Sequence, residues 1–290
     1  MGLRLKFNLI LAACFVVGLI ASSVLFYEVS HRNALERLHA QIGVLRAQAL
    51  AVRAYTSDEI RPLLNDLSDV QFLPQIVPSF SAQNVFHKFR DQFPDFYYKE
   101  AALNPTNPSD LATPWEREII NRLRADTSLK EIVEYRETEK GRQYNVAFPL
   151  TIRAEACLAC HSTPDKAPSS MVALYGDKAG FGWKMNETIG AQVISVPLTA
   201  ARQQAFDNLK LMVGAMSLIF LILLLVINTL LGTMVLTPVI KMSEIAEQVS
   251  LGDSAQPEYV VDGSDEIASL SKSFNRMRRS LDSAMKMLDT

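Results

Sequence analysis

Cysteine is scarce in this sequence, because the 290-residue chain contains only Cys14, Cys157 and Cys160. Cys14 lies inside a long apolar run, which leaves two thiols for chemistry in an aqueous compartment. A structural zinc site needs four ligands from cysteine, histidine or carboxylate groups, and the chain has no second cysteine pair to complete one. The scarcity therefore argues against a zinc module and makes the two neighbouring cysteines the first feature to explain.

The chain also lacks a strong charge imbalance, a long run of lysine or arginine, internal repeats and low-complexity tracts. Its formal net charge is −2, from 29 basic and 31 acidic residues. Nucleic-acid-binding domains usually carry a basic face, so we expect no nucleic-acid partner. No arrangement of nucleophile and base and no acidic pair stands out, so we expect no enzymatic turnover.

Apolar residues are abundant, at 49% of the chain, and the excess is concentrated in two runs at 9–27 and 211–236. A helix needs about 20 apolar residues to cross the core of a bilayer. The second run meets this length and carries no charged residue. The sequence therefore predicts two transmembrane helices, at 8–27 and 209–235.

The basic residues Arg4 and Lys6 precede the first run and favour a cytoplasmic N-terminus, residues 1–7. The same arrangement also describes a signal peptide. We favour an uncleaved anchor, because the run is longer than a typical signal core and an amphipathic pattern continues from its end. Two spans place both termini on one side, so the prediction is a bacterial inner-membrane protein with residues 28–208 in the periplasm.

The first part of this outer region has helical patterns. Apolar residues at positions 35, 38, 42, 45, 49 and 52 form one stripe with steps of three and four, which is typical of an amphipathic helix. A short helix is predicted over residues 81–92 with Ser81 as its N-cap. Another helix is predicted to begin at Pro114, because Thr113 and Glu116 have capping-box spacing and proline favours the first helical position.

The second part has strand patterns. Apolar residues alternate from Tyr144 to Ile152, the segment from Ile132 is rich in β-formers, and Gly141 lies in the turn between them. Residues 189–198 read as a last strand that leads into the second membrane run. The outer region is therefore predicted to be α+β, with an antiparallel sheet and flanking helices.

The stretch ACLACHSTPDKAP contains Cys157 and Cys160, with His161 directly after them. Zinc, a thioredoxin-like dithiol and covalent haem all use a cysteine pair. In the haem case the two thiols add to the two vinyl groups of one haem, and the adjacent imidazole becomes an axial iron ligand. We favour haem because the five-residue CxxCH pattern is more specific than CxxC, and because bacteria attach haem c outside the cytoplasm.

The other axial position of such a haem has several candidates. A cysteine ligand is excluded, because Cys14 is predicted to lie in the bilayer. His87, Met171 and Met185 are candidates, although a helix surface explains the histidine and core packing explains the methionines equally well. An open or water-filled position is a further alternative and would allow gas binding. Four basic residues are candidate partners of the haem propionates: Arg53, Lys88, Lys99 and Arg153.

Several separate segments of the outer region resemble one family in the same order. They are YTSDEIRPLL, FLPQIVPSFSAQNVF, FPDFYYKEAALNPTNPSDLATPWE, CLACHSTPDKAP and YGDKAGFGWK followed by IGAQVISVPL. Over roughly residues 28–200 they resemble the single-haem, PAS-like periplasmic sensor domains of the c-type haem family. The resemblance implies a PAS-like fold and one covalent haem c carried by Cys157, Cys160 and His161. Other residues within these motifs have no assigned role: Tyr55, Tyr98, Lys99 and Trp183.

Residues 236–286 resemble a HAMP linker, and residues 287–290 form a tail. Apolar positions at 242, 245 and 249, and again at 267, 270, 274, 277 and 281, predict two amphipathic helices joined by a connector. One chain cannot bury both stripes, so we predict a parallel four-helix bundle across a homodimer. Ala268 departs from the family, which often has glycine there. The residues that fit it are Pro238, Glu244, Gly252, the Asp265-Glu266-Ile267 triplet and the FNRM at 274–277.

Together these features predict a membrane-bound sensor. Haem c in the periplasm changes redox state or binds a small gaseous ligand, and the HAMP module passes the change to a separate cytoplasmic output protein. The principal alternative is a membrane-anchored c-type cytochrome that transfers electrons to a redox partner and uses HAMP only to dimerise. A haem-free receptor or adhesion protein is a third reading.

Overall fold

The computed structural model describes residues 2–67, 70–139, 141–251, 253 and 257–288. Gly252, one of the residues that fit the HAMP pattern, lies outside them. The chain divides into two compact units. Residues 25–209 form one unit, called the outer unit or outer domain below, and residues 1–24 together with 210–290 form the other.

The sequence predicts helices first and strands after them, but the structure places one strand, Tyr97–Ala102, before the helix that begins at Pro114. In chain order the helices are α1 (Leu3–Tyr55), α2 (Arg61–Leu64), α3 (Pro78–Phe89), α4 (Pro114–Ala125), α5 (Glu155–His161), α6 (Ser169–Tyr175), α7 (Leu198–Leu230), α8 (Thr237–Ser250) and α9 (Glu266–Leu288). The strands are β1 (Tyr97–Ala102), β2 (Ile132–Thr138), β3 (Gly141–Thr151) and β4 (Thr188–Pro197). Short π-helical turns occupy Thr56–Ile60 and Leu231–Leu236, and 3₁₀ turns occupy Asn65–Leu67, Pro74–Ile76 and Pro108–Asp110.

The four strands form one antiparallel sheet in the spatial order β1-β4-β3-β2. The hairpin between β2 and β3 closes at Gly141, whose φ of +94° lies in the region that favours glycine. β4 is buried along almost its whole length because it pairs with a strand on each side. The predicted antiparallel sheet with flanking helices is confirmed.

Each face of the sheet packs against helices, because alternate side chains of a strand point to opposite faces. Val146, Phe148 and Ile194 share one face with α3 and the outer part of α1. Ala147 and Val193 share the other face with α4. Burying a large aliphatic or aromatic side chain contributes about 1.5–3 kcal/mol, so both layers stabilise the outer unit.

The outer part of α1 contributes the stripe that the sequence predicts. Leu38, Ile42, Leu45 and Ala49 are buried in the core, and Leu35 and Val52 pack partly buried against it. A helix that continues straight from an apolar run therefore also forms one wall of the folded domain.

Two helix starts differ in how well the sequence predicts them. α4 begins with the predicted capping box, in which the Glu116 Oε2 accepts a hydrogen bond from the Thr113 backbone N–H at 2.8 Å. For α3 the prediction of Ser81 as N-cap is wrong. The helix begins three residues earlier at Pro78, because proline is pre-organised for the first helical turn, and the Ser81 hydroxyl donates to the Gln75 carbonyl instead.

Among the described residues, two helices are long and apolar enough to cross a membrane, within Arg4–Leu67 and Ala201–Ser250. In the unit formed by residues 1–24 and 210–290, Asn8 and Asn228 exchange amide hydrogen bonds at 2.9 and 2.8 Å. The rings of Phe15 and Phe220 stack with centroids 3.9 Å apart. Polar pairs of this kind join apolar helices where no water is present to satisfy an amide.

α8 and α9 lie on either side of the predicted connector. The connector packs along α9, because the side chains of Ser271 and Asn275 both donate hydrogen bonds to the Tyr259 carbonyl. The Asp265 carboxylate caps α9 by accepting from the Ala268 N–H at 2.8 Å, so the helix starts normally although alanine replaces the usual glycine.

Candidate functional site

A cavity of about 660 Å³ opens in the outer unit. Its walls come from the segment that follows α1, the start of α3, the ends of β1 and β3, and the α5–α6 segment. Pockets that hold small molecules and cofactors range over about 300–1,000 Å³, so this one accommodates a ligand of cofactor size. Much of its lining is apolar and includes Phe72, Ile76, Phe80, Leu150 and Ile152.

The CxxCH residues lie together on one wall of this cavity. Cys157, Cys160 and His161 are carried by α5, which follows β3 after three residues. Residues spaced three and four apart share one helix face, so the first thiol lies beside the second thiol and the imidazole. Both thiols are free and half-buried. The helix therefore presents two nucleophilic sulfurs and one imidazole to the same space.

The His161 ring has a defined tautomer. Its Nδ1 lies 2.7 Å from the Gly180 carbonyl oxygen and 3.3 Å from the Thr106 hydroxyl. A carbonyl can only accept, so Nδ1 carries the proton and Nε2 keeps a free lone pair. Burial lowers the pKa of His161, and the hydrogen bond to Gly180 only partly opposes this effect. The neutral imidazole with a free Nε2 is the form that binds a metal.

Trp183 fixes the plane of the same ring. The indole and imidazole stack with centroids 3.9 Å apart and an interplanar angle of 16°. The backbone N–H of Trp183 donates to the His161 carbonyl at 3.2 Å, and the backbone N–H of Gly182 donates to the Ser162 carbonyl at 2.9 Å. The loop that precedes β4 is thereby tied to the C-terminal end of α5.

Gly180 is required where this loop meets the segment after β1. Its φ is +85°, and a Cβ at this position would lie 1.9 Å from the Thr106 Oγ1 and 2.8 Å from the Thr106 Cα. Its N–H also donates to the Asn104 side chain at 3.2 Å. Only a residue without a side chain can bring its carbonyl this close to His161.

We expect Gly180→Ala to lower the free energy of unfolding of the outer unit by about 3 kcal/mol, from the clash and from the left-handed backbone. Gly182→Ala is the matched control, because Gly182 has a φ of +81° but a Cβ added there would meet no described atom within 4 Å. The control should lose about 1 kcal/mol. Urea unfolding in micelles, followed by tryptophan fluorescence, measures both, and equal losses would refute the close-approach argument.

Charged side chains also line the cavity. Glu100 is fully buried and pairs with Arg53, whose side chain is 25% exposed. The Tyr98 hydroxyl donates to the Glu100 Oε1 at 2.5 Å, and the Gln192 amide donates to both groups. The Arg53 charge is therefore already neutralised within the wall. The other charged residues of the lining are Asp58, Arg61, Asp110 and Arg153.

The structure separates the three candidates for a second axial ligand. Met171, on α6, is 2% exposed and lines the cavity. His87 is exposed on α3, and Met185 is 40% exposed, and the cavity lining includes neither of them.

The candidate propionate partners separate in the same way. Arg53 and Arg153 line the cavity, whereas Lys88 and Lys99 are absent from its lining. Lys99 instead forms an ion pair of 2.9 Å with Glu116.

Arg61 is a site residue that the sequence patterns do not reveal. It follows the π-helical turn Thr56–Ile60. A π-turn contains more residues than an α-helical turn, so the side chains after it lie on a different face from the one that a 3.6-residue period predicts. The positive charge of Arg61 acts on the Cys160 thiol. Burial raises the pKa of Cys160, and the positive charge of Arg61 opposes that increase.

Within the part of the chain that the structure describes, no group of three or more His, Cys, Asp or Glu side chains is placed to hold a bare metal ion. Two thiols and an imidazole around an apolar cavity fit a cofactor that is attached through its periphery and ligated at its centre.

Two family models match the chain. The Tll0287-like model matches residues 31–197, and the HAMP domain model matches residues 230–283. A solved structure similar to the chain is that of the cyanobacterial heme-protein Tll0287, at 15% identity and a TM-score of 0.41, covering 56% of this chain and 95% of the other. No curated protein sequence matches. The first match spans more than half of the sequence, and the chain therefore belongs to the Tll0287-like family and carries a C-terminal HAMP domain.

Proposed function

We propose that this protein is a membrane-bound sensor whose outer domain carries one haem c. The observation that supports it most strongly is the placement of Cys157, Cys160 and His161 on one wall of a 660 Å³ cavity, with the histidine Nε2 free. The two thiols would hold the haem through thioether bonds, and His161 would bind its iron. The family's namesake is itself described as a heme-protein, which agrees with this assignment.

The haem, when bound, supplies either a one-electron couple or an iron position open to a small gaseous ligand. The protein supplies the surroundings. Gly180 and Trp183 hold the imidazole in one orientation, and much of the surrounding wall is apolar. Of the side chains predicted as a second iron ligand, Met171 is the one that lines the cavity, and it would bind the iron in the one-electron version of this proposal.

We propose spans at 8–27 and 209–235, a periplasmic domain at 28–208 and a cytoplasmic HAMP domain at 236–286. Arg4 and Lys6 before the first span support this orientation, because positive residues are enriched on the cytoplasmic side. The periplasm is also the compartment in which haem c attachment takes place. The HAMP domain is a signalling element, so we expect the output to come from a separate cytoplasmic protein and not from turnover by this chain.

The route for a signal begins at β4. This strand is the buried centre of the sheet and ends at Pro197, and α7 begins at the next residue. Leu198, Ala201 and Ala205 are buried, so the first turns of α7 belong to the core of the outer domain. A small rearrangement around the haem therefore acts on the helix that enters the membrane. The haem state must favour one arrangement over the other, because equal affinity for both shifts nothing.

The partner that we propose for the HAMP domain is a second copy of the chain. Along α9, Leu270, Met277 and Leu281 follow the predicted stripe and are 48%, 64% and 48% exposed in the single chain. Met285 continues the stripe and is 54% exposed. A four-helix bundle of two chains would bury this face.

The experiment that tests signalling is cross-linking of Ile245→Cys and Leu270→Cys in a Cys14→Ser background, with a bis-maleimide that does not depend on redox state. We expect the cross-linking rate to change several-fold between oxidised and reduced haem, which corresponds to about 1 kcal/mol in the bundle equilibrium. The same pair with Cys157→Ser and Cys160→Ser is the control and should show no redox dependence. Identical rates in haem-loaded protein would favour the electron-carrier alternative.

A further inference from the structure

Asp110 is a carboxylic acid in the cavity wall to which the proposed function gives no role. It ends the 3₁₀ turn Pro108–Asp110 and is half-buried. Its Oδ1 accepts a hydrogen bond from the Gln83 amide at 3.0 Å and contacts the Ser109 hydroxyl at 3.4 Å. Both partners are neutral, and among the residues that the structure describes Asp110 has no ion pair.

The neighbouring carboxylate, Glu100, differs from Asp110 in having a positively charged partner. Glu100 has the Arg53 guanidinium and the Tyr98 hydroxyl as partners, so its negative charge is compensated. Gln83 links the two acids, because its Oε1 accepts from the Glu100 backbone N–H at 3.2 Å while its Nε2 donates to Asp110. This fixes the orientation of the Gln83 amide. Both contacts of Asp110 use Oδ1, which leaves Oδ2 as the atom able to take a proton.

The charge balance of the cavity identifies Asp110 as the group that responds to an added electron. Its lining carries three guanidinium groups and three carboxyl groups. One further negative charge in a site of low dielectric favours protonation of a partly buried acid of the same wall that has no positive partner. Burial already raises the pKa of Asp110, and the hydrogen bond from Gln83 only partly offsets this.

We propose that the cavity couples electron uptake to proton uptake at Asp110. The inference rests on the proposed function. For each electron that an external one-electron donor delivers to the group held by Cys157 and Cys160, the Asp110 Oδ2 takes one proton from bulk solvent and forms one O–H bond. On reoxidation the electron leaves to an external acceptor and the proton returns to solvent. The net charge of the cavity is therefore the same in both states.

Other ionisable groups of the cavity wall influence how readily Asp110 takes up a proton. Glu100 disfavours the charged form of Asp110 and Lys99 favours it. Burial raises the pKa of Tyr97 and Tyr175, Asp110 adds to the increase, and both phenols stay protonated at neutral pH. The Arg61 guanidinium acts electrostatically on Cys160, and the His161 Nδ1–H is donated to the Gly180 carbonyl. The remaining charged groups of the lining are Arg53, Asp58 and Arg153.

The test is the midpoint reduction potential of the full-length, haem-loaded protein in micelles as a function of pH. The added electron makes the pKa of Asp110 higher in the reduced state than in the oxidised state. Between these two values the potential should fall as pH rises, and outside them it should be flat. The reduction equilibrium should change by up to tenfold per pH unit, which is about 59 mV for one electron.

Asp110→Asn should abolish the pH dependence in that window. Asp58→Asn is the matched control, because Asp58 also lines the cavity but is exposed, so its loss removes the same charge and should keep the slope. Infrared difference spectra should show a protonated carboxyl band on reduction that Asp110→Asn lacks.

A haem-loaded protein whose potential does not depend on pH, or a slope that survives in Asp110→Asn, would overturn this inference and leave the proposed function standing. A pyridine haemochrome assay distinguishes failure of this inference from failure of the proposed function, because protein that contains no haem would contradict the inference and the proposed function together.

Discussion

Protein in which Cys157→Ser and Cys160→Ser are combined will retain no haem through denaturing electrophoresis. Thioether bonds survive denaturation, whereas axial ligation by His161 alone does not. The hydroxyl of serine does not add to a vinyl group as a thiol does, so both points of attachment are lost together. Haem staining of the gel, normalised to total protein, measures the result, and the expected loss is complete.

The matched control for this experiment is Cys14→Ser, the remaining cysteine of the chain. Cys14 belongs to the unit that contains the candidate membrane helices and lies outside the cavity lining. It should bind haem like the unaltered protein. Haem that remains covalently attached in the double variant would show that these thiols are not the attachment site.

Glu100→Ala should lower the free energy of unfolding of the outer domain by about 3 kcal/mol. The substitution leaves the largely buried Arg53 guanidinium without its counter-charge and the Tyr98 hydroxyl without its acceptor. Removing one partner of a buried ion pair costs much more than the pair itself contributes, because the other charge stays desolvated. Urea unfolding followed by fluorescence reports on this domain, since both tryptophans, Trp115 and Trp183, lie in it.

A surface ion pair provides the comparison. Arg122 and Glu134 pair across α4 and β2 with side chains that are 51% and 32% exposed. Solvent screens such a pair, so Glu134→Ala should cost less than about 1 kcal/mol. If the two substitutions destabilise the domain equally, the Arg53–Glu100 pair does not have the structural role assigned to it.

The elements that the sequence predicts well are those with a local cause. The stripe from Leu38 to Ala49 becomes one buried face of α1, and the alternation from Tyr144 to Phe148 becomes the inner face of β3. The capping box at Thr113 forms as predicted. In each case short-range spacing and burial favour the same conformation, so a pattern read from the chain alone is sufficient.

The start of α3 shows where local reasoning fails. Ser81 is a good N-cap by residue type, but the proline three positions earlier begins the helix and Ser81 becomes an interior residue. Two signals competed within one turn, and the stereochemistry of proline prevailed.

At the candidate site, too, local patterns are predictable from the sequence and long-range contacts are not. The CxxCH spacing identifies three residues that line one cavity wall. The acceptor for His161 comes from Gly180, nineteen positions later, and only the folded loop brings that carbonyl to the imidazole. Arg61 reaches the cavity through a π-helical turn that periodicity does not predict. Long-range contacts of this kind have no signature in a single sequence.

Covalent attachment of haem to Cys157 and Cys160 is tested most directly by the intact mass of the purified full-length protein. The protein should be produced in cells with a working haem c maturation system. The predicted mass is that of the polypeptide plus one haem, and proteolysis should place the added mass on the peptide that contains Cys157 and Cys160. A polypeptide that carries no added mass after such expression would contradict the central claim.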